Sequence, residues 1–409
     1  MSAENWVAHD AKRHFSWKQI VRRTFTFVFA PMFFLVCLGV IWKKRSDIKR
    51  NDIICSFFTW SFGHQIKGFG LMSLLLPSSK IYVIHFLHKR NNKYLSQMLP
   101  DRISSHQITL FSQCHDFFNT DCKKMFDFMM GLLFPAKFLL KDATFLYRIN
   151  SLAKKSLIHF DERRKCLHPY SDLTGLVETV RRSETLAFQI PQRMAEVAEL
   201  SISEVHGKPV DFSRIVVLIL RKSRTEEYYD ALRSCDQSNY LKAVRWLTEA
   251  GWFVMGLGET DGSLFEGIDN FIDGTRCKNP ELVNLYGLSV CKFFVGLHSG
   301  AYLVPSFFKR KVILCDSFPF YIGALNEEDI ILPKGVLFEG RKLALDELIS
   351  RHSDAFFGKG FDSEYRLLDN TQYEILAAVK GESLVKKKFP DESLISFQNN
   401  WICEVSIED

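Results

Sequence analysis

Gly296-Leu297-His298-Ser299-Gly300 is the strongest group of residues in this chain that can do chemistry. It follows an apolar run at 291–297 and leads into 301–308, which reads as a helix. A strand entering a helix through small residues exposes backbone N–H groups at the helix start, where a phosphate or pyrophosphate is held by those donors and by the dipole. Ser299 adds a hydroxyl and Gly300 allows close approach. The nucleophile elbow needs Gly-x-Ser-x-Gly, and this order is Gly-x-x-Ser-Gly, so Ser299 is not read as a hydrolase nucleophile. A plain strand–helix turn is the competing reading.

Arg221 comes next, directly after the β-branched apolar run 215–220. Ligands of parallel sheets sit beyond the carboxyl ends of strands. An arginine there can clamp a diphosphate and stabilise a nucleotide leaving group. Arg224, Arg233 and Asp236 follow, in what is otherwise a solvated charged loop. His64 sits on a glycine-bearing turn (62–70) after a strand at 52–58; it is a candidate general base near neutral pH, or a loop histidine with a local hydrogen bond. Gly258, Glu259 and Asp273 end later strands, where an acid can contact ribose or base. No His, Cys and carboxylate set has metal-ligand spacing, and no Asp-x-Asp pair is present to hold a divalent ion on a nucleotide sugar. There is no Walker loop and no Gly-x-Gly-x-x-Gly after a strand.

These residues need a scaffold that brings strand ends together. Strands are expected at 52–58, 81–86, 108–111, 215–220, 252–257, 291–297 and 312–315. Helices are expected at 91–99, at 239–250 (stopped by Gly251), from Asn279 as cap with Pro280 first and Leu282 and Leu285 facing inward, and at 301–308. The stretch 117–148 suits a helical hairpin, and 155–208 is mostly helical in pattern. Thr371 and Glu374 form a capping box opening a C-terminal helix. Short apolar runs alternating with helices predict an α/β fold with parallel sheets. The boundaries expected are 1–50 for an N-terminal membrane-associating segment, 51–208 for an acceptor domain, 209–365 for a nucleotide-sugar domain, and 366–409 for a helix and tail crossing back to the first domain.

The chain has 409 residues, enough for two cores plus an extra segment. A hydrophobic share of 47% and a charged share of 24% exclude a disordered or fibrous chain. A net charge of +6 favours acidic partners but is too mild for a nucleic-acid binder. The 10 cysteines include no Cys-x-x-Cys pair, which reads as reduced, cytosolic usage. Residues 24–42 hold no charge, and Arg22, Arg23, Lys43, Lys44 and Arg45 flank them. Nineteen such residues are just enough to span a bilayer; Pro31 in the middle suits a segment lying in the interface, and a buried helix is the third option. The 37 phenylalanines, dense before residue 150, fit a membrane surface or a Phe-rich core.

Leu220-Arg221, Arg233-Ser234-Cys235-Asp236, Tyr240, Gly258-Glu259, and the run 294–300 with Pro305 a turn later together resemble a family of bacterial glycosyltransferases. That family carries a His-Val-Arg strand end, an Arg-Asn-Ala-Asp segment and a Gly-x-x-Ser-Gly turn. The resemblance covers residues 210–320 and, more loosely, Gly63-His64. Its arginine strand end is also similar to fucosyltransferase-like enzymes. It implies two Rossmann-like domains of the GT-B type, a donor nucleotide held mostly by the second, and no metal or other cofactor; a metal-free site of this kind suits one direct displacement with inversion. Ile219 and Gly256 depart from it, standing where the family has histidine and often arginine.

The resemblance thus implies a glycosyltransferase taking a nucleotide sugar and a glycan or lipid-linked acceptor, in surface glycan synthesis at the cytoplasmic face of the inner membrane. His64 is its candidate base; Arg221, Arg233, Asp236, Gly258, Glu259, His298, Ser299 and Gly300 are its donor-binding candidates. Alternatives are a nucleotide-sugar epimerase and a non-catalytic membrane-anchored assembly protein of the same fold.

Overall fold

The computed structural model describes residues 35–36, 38–49, 53–58, 62–75, 80–86, 92–108, 138–139, 183, 186–222, 232–318, 325–326, 328–352, 364–382, 384–388 and 401–405. Most of the apolar run 24–42, most of 117–148 and the stretch 149–182 lie outside them. Among the described residues no helix is long and apolar enough to cross a membrane. The chain forms two compact units.

The first unit holds a parallel sheet of strands β1 (Ile53–Phe58), β2 (Ile81–Phe86), β3 (Ile103–Ile108) and β4 (Phe138–Leu139) in the order β3-β2-β1-β4. The third strand lies earlier than the 108–111 expected. Ser104, Ser105, His106 and Gln107 hide it: among the described residues β3 pairs with β2 alone, and a strand at such an edge needs no continuous apolar run. The pair at 138–139 runs alongside β1, so this part of the presumed helical hairpin is a strand.

The second unit begins inside the stretch that sequence assigned to the first domain. Helix α1 (Phe62–Leu75) and a 3-10 turn at Leu95–Met98, where a regular helix was expected, both belong to it. Packing decides this. Ile66 and Phe69 of α1 are fully buried, and Gly70 lies so close to Phe307 that an added Cβ would sit 2.3 Å from its ring. Gln65 and Asn92 exchange two buried hydrogen bonds of 2.9 Å, and the Asn92 side chain donates from Nδ2 to the Glu281 carbonyl at 2.7 Å.

Helix α2 (Gln192–His206) then ends on Gly207, left-handed at φ 73°. The main sheet follows: β5 (Ile215–Leu220), α3 (Leu241–Glu249), β6 (Phe253–Gly258), β7 (Phe271–Asp273), α4 (Pro280–Val290), β8 (Phe293–Gly296), α5 (Leu303–Phe307), β9 (Lys311–Ser317) and β10 (Ile330–Pro333). All its pairs are parallel, in the order β10-β9-β8-β5-β6-β7. The chain builds outward from β5 to β7, then returns to the other side of β5 and builds outward again. That is the doubly wound order, with its topological switch between β5 and β8.

β5 shows why the sheet forms here. Its residues are buried on both faces, as a continuous Ile-Val-Val-Leu-Ile-Leu run requires. Val216, Leu218 and Leu220 join a core with Val244 and Leu247 of α3. Val217 points to the opposite face, toward Gly287 of α4. Helices therefore cover both faces.

A small antiparallel sheet of β11 (Gly335–Phe338), β12 (Arg341–Lys342) and β13 (Tyr365–Leu368) follows, with α6 (Leu345–Arg351) between its last two strands. Helix α7 (Gln372–Lys380) opens on the expected capping box, Thr371 with Glu374. It buries Ile375, Ala378 and Val379 in the core of the second unit, against α3 and β9. Strands β14 (Leu384–Lys388) and β15 (Trp401–Val405) pair antiparallel after it.

Candidate functional site

The switch point is built by two strand ends. Ile219 of β5 pairs with Gly296 of β8, and the Leu297 amide continues the ladder by donating to the Ile219 carbonyl at 3.2 Å. Gly296 is required there: at φ 155° a Cβ would lie 2.2 Å from that carbonyl oxygen. Arg221 leaves β5 and His298 leaves the β8 end, so sheet pairing alone brings them to one edge.

The Arg221 carbonyl accepts the Cys235 amide at 3.2 Å, which holds residue 235 at the end of β5. Arg233, in the same closing segment, donates from Nη2 to the His298 carbonyl at 3.1 Å. Arg221, Arg233, His298, Ser299 and Gly300 are therefore gathered at the switch. Arg224 lies outside the described residues.

The His298 ring lies 5.3 Å from that of Tyr302, and its Nδ1 is covered without a hydrogen-bond partner among the described residues. Burial, reinforced by the Arg233 charge, pushes its pKa down to about 3. The imidazole is uncharged at neutral pH and adds no positive charge for an anion.

The Ser299-Gly300 turn differs from the helix start expected. A 3-10 turn at Gly300–Tyr302 precedes the five-residue α5, and the Ser299 hydroxyl already accepts the Ala301 amide at 3.3 Å. The close approach that Gly300 permits is made by Gly63, at the start of α1. His64 is thus next in sequence to a residue touching the turn. Its backbone is part of α1, and its side chain lies outside the described set.

Gly258 and Glu259 end β6, the strand beside β5. Gly258 is left-handed at φ 67°, and the Glu259 carbonyl accepts the Gln237 side chain at 3.1 Å. Asp236 is exposed and its carboxylate serves locally, accepting the Ser238 amide at 2.9 Å and hydroxyl at 2.7 Å. Asp273 likewise caps Thr275 at 3.1 Å and pairs with Arg276 at 3.0 Å. Asn279, expected to cap α4 with its side chain, makes no such bond; it is left-handed at φ 56°.

Gly256 has a packing reason. A Cβ there would sit 2.8 Å from the Phe271 ring and 3.1 Å from Thr260. The glycine where the similar family often has arginine is filled by a neighbour's ring, and its identity does not argue for lost chemistry.

A buried polar cluster behind the arginine segment escaped sequence reading. Asp316 ends β9 in a left-handed conformation, φ 49°. Its carboxylate accepts the Tyr240 hydroxyl at 2.9 Å and the Asn370 amide at 2.5 Å. Burial raises its pKa to about 6, against the pull of Lys334 and the Asn370 bond. Lys334, just after β10, donates to the Ser234 carbonyl at 2.7 Å and ion-pairs with Asp369. Partners so distant in sequence leave no spacing signal; only an isolated lysine after an apolar strand marks the place. Among the described residues no group of three or more His, Cys, Asp and Glu is placed to hold a metal ion.

No protein-family model and no curated protein matches the chain. Among solved structures, the chain is similar to a glycosyl transferase family 9 protein from Veillonella parvula DSM 2008, at 11% identity and a TM-score of 0.47, over 81% of this chain and 96% of that one. It is similar to the E. coli ADP-heptose lps heptosyltransferase II at 12% identity and a TM-score of 0.38, over 70% and 91%. It is also similar to E. coli heptosyltransferase WaaC with ADP-2-deoxy-2-fluoro heptose, at 12% identity and a TM-score of 0.36, over 64% and 87%.

Proposed function

We propose that this chain is a glycosyltransferase that moves a sugar from a nucleotide-sugar donor to a membrane-linked or polysaccharide acceptor. The observation that carries this reading is the coincidence of the switch between β5 and β8 with Arg221, Arg233 and His298. Open α/β sheets bind ligands at such points. Two guanidinium groups suit a diphosphate, and the motif resemblance at the same residues agrees.

In this reading the diphosphate lies against Arg221 and Arg233, which neutralise the charge growing on the leaving nucleotide. The uncharged His298 ring suits a donor hydroxyl rather than a phosphate. Glu259, one strand over, is placed toward the nucleoside. His64 is the proposed base, taking the acceptor proton in one metal-independent displacement with inversion. The N-terminal run brings the enzyme to the cytoplasmic face of the membrane. Support for that comes from Leu35 and Trp42, exposed at 64% and 73%. They lie two helical turns apart, and the Arg45 guanidinium sits 5.2 Å over the Trp42 ring.

The test is thermal stabilisation by a panel of nucleotides and nucleotide sugars, comparing wild type with Arg221→Ala. A ligand at about 100 times its Kd adds roughly 2.7 kcal/mol. Stabilisation of the wild type by one nucleoside diphosphate, lost in the variant, is the expected result. A melting curve that no nucleotide moves overturns the reading.

A further inference from the structure

Lys334 is about as thoroughly buried as an ammonium can be, with a side chain 3% exposed. A buried ion pair is weak evidence for stability, because desolvation offsets its Coulombic gain and well-packed apolar residues often do as well. The geometry suggests what else the pair does. Lys334 Nζ donates to the Ser234 carbonyl at 2.7 Å and pairs with Asp369 Oδ1. The other carboxylate oxygen, Oδ2, accepts the Asp236 amide at 2.7 Å. Between these two anchored residues, the Cys235 amide donates to the Arg221 carbonyl. Three consecutive residues are thus each pinned from a different direction, immediately after the Arg233 that reaches the His298 carbonyl.

The anchor itself is rigid. Asn370 exchanges two backbone–side-chain bonds with Asp316 and donates to the Pro333 carbonyl at 2.9 Å. Thr371 caps α7. The segment 369–371 therefore joins the ends of β9 and β10 to the start of α7, and the Lys334–Asp369 pair carries that fixed frame to the arginine segment.

We propose that Lys334 and Asp369 are positioning residues that hold the segment 233–236, and with it Arg221 and Arg233, in the arrangement that binds the donor diphosphate. The binding half of this proposal rests on the function proposed above.

The positioning half can be read without nucleotide, because Cys235 lies in the pinned segment. Its thiol is partly buried, and desolvation with the nearby Asp316 and Asp369 carboxylates raises its pKa while Lys334 lowers it, so it is slow to alkylate. The experiment follows iodoacetamide labelling of Cys235 by peptide mass spectrometry, with fully buried Cys291 reporting global unfolding. It compares wild type, Lys334→Met, whose lost charge by itself would only slow the labelling, and the neutral double variant Lys334→Met/Asp369→Asn, which removes two opposing charges together. Each protein is also titrated with ADP, GDP, UDP and CDP by calorimetry.

Expected are Cys235 labelling about tenfold or more faster in the double variant, Cys291 unchanged, and nucleoside diphosphate binding weakened at least about tenfold. Cys235 labelling that stays at the wild-type rate while Cys291 is protected overturns the proposal. So does unchanged affinity despite faster labelling. If the double variant unfolds and exposes Cys291, the single Lys334→Met variant, which leaves the part-exposed Asp369 carboxylate bonded to the Asp236 amide, is judged by the same criteria. A wild type that binds none of the four nucleotides overturns the transferase reading and the binding half together; the Cys235 rates still decide the positioning half.

Discussion

Gly63 and Gly300 meet backbone to backbone: a Cβ added to Gly300 would lie 2.4 Å from the Cα of Gly63, and one added to Gly63 would lie 2.7 Å from the Cα of Gly300. Neither neighbour is a flexible side chain that can swing away. Gly300→Ala should therefore cost about 1–3 kcal/mol in chemical denaturation, the usual range for an overpacked core. It should also weaken nucleotide binding, because the Ser299 turn must shift. Wild-type stability in this variant would mean that α1 is not seated on the turn.

Gly256→Arg, which restores the residue type of the similar family, should destabilise rather than repair. Its first side-chain atom meets the Phe271 ring at 2.8 Å, so a loss of about 1–3 kcal/mol is expected. Phe271 is partly buried, so Phe271→Ala alone should cost less than the roughly 3–5 kcal/mol lost with a fully buried ring. Combined, the two substitutions should cost less than the sum of the singles, because the added side chain fills space the ring vacates. A strictly additive double-mutant cycle would count against this account of Gly256.

The strand carrying Arg221 was legible because it is buried on both faces: nothing but a continuous β-branched run can fill it, and 215–220 matched residue for residue. Strand 81–86 was legible for the same kind of reason. The edge strand β3 was not, since its polar residues suit an edge as well as a loop. Arg221, His298 and Gly300 could be singled out because they closely follow strand ends, where sequence adjacency is spatial adjacency, whereas the contact of Arg233 with the His298 carbonyl has no local signal. Lys334 and Asp369 were missed because each acts only through a partner brought in by the fold. Gly63 and Gly300 were both noticed, but no local pattern says that they touch.

Arg221→Lys keeps the charge and loses the planar fork. If Arg221 grips a diphosphate through paired donors, affinity should fall by roughly 1–2 kcal/mol, about five- to thirtyfold, in calorimetric titration. Affinity equal to wild type would show that only net charge matters at this position.

His298 gives the site a pH signature. Its pKa is about 3 in the folded chain against an ordinary 6.5. Below pH 6.5 the unfolded chain takes a proton that the folded chain refuses, so this residue's contribution is lost as pH falls from 6.5 toward 3. Asp316 and Asp329, both raised to about 6 by burial, act in the opposite sense between their ordinary 3.8 and 6. In His298→Asn only the first effect disappears. Between about pH 7 and pH 5, the stability of the variant relative to wild type should improve by up to about 2 kcal/mol. A pH-independent difference in urea-denaturation midpoints would show that the ring is not held neutral by its surroundings.

Thr371→Ala removes one half of the capping box of α7. A loss of about 1 kcal/mol is expected from the cap itself. Because Asp369 and Asn370 are the two preceding residues, amide hydrogen exchange at Cys235 and Asp236 should also quicken. Exchange that changes only within α7 would separate the cap from the arginine segment.

The seating of α1 on the Gly300 turn also sets an order of events during synthesis. Gly63 and Gly300 are 237 residues apart (300 − 63). At about 5–20 residues per second, the helix emerges from the ribosome roughly 12–50 s before the surface it packs on. During that interval α1, with its buried Ile66 and Phe69, has no access to the Phe307 ring that Gly70 approaches. A nascent chain paused before residue 300 should therefore present an apolar helix to holdase chaperones, and release it once α5 has been made.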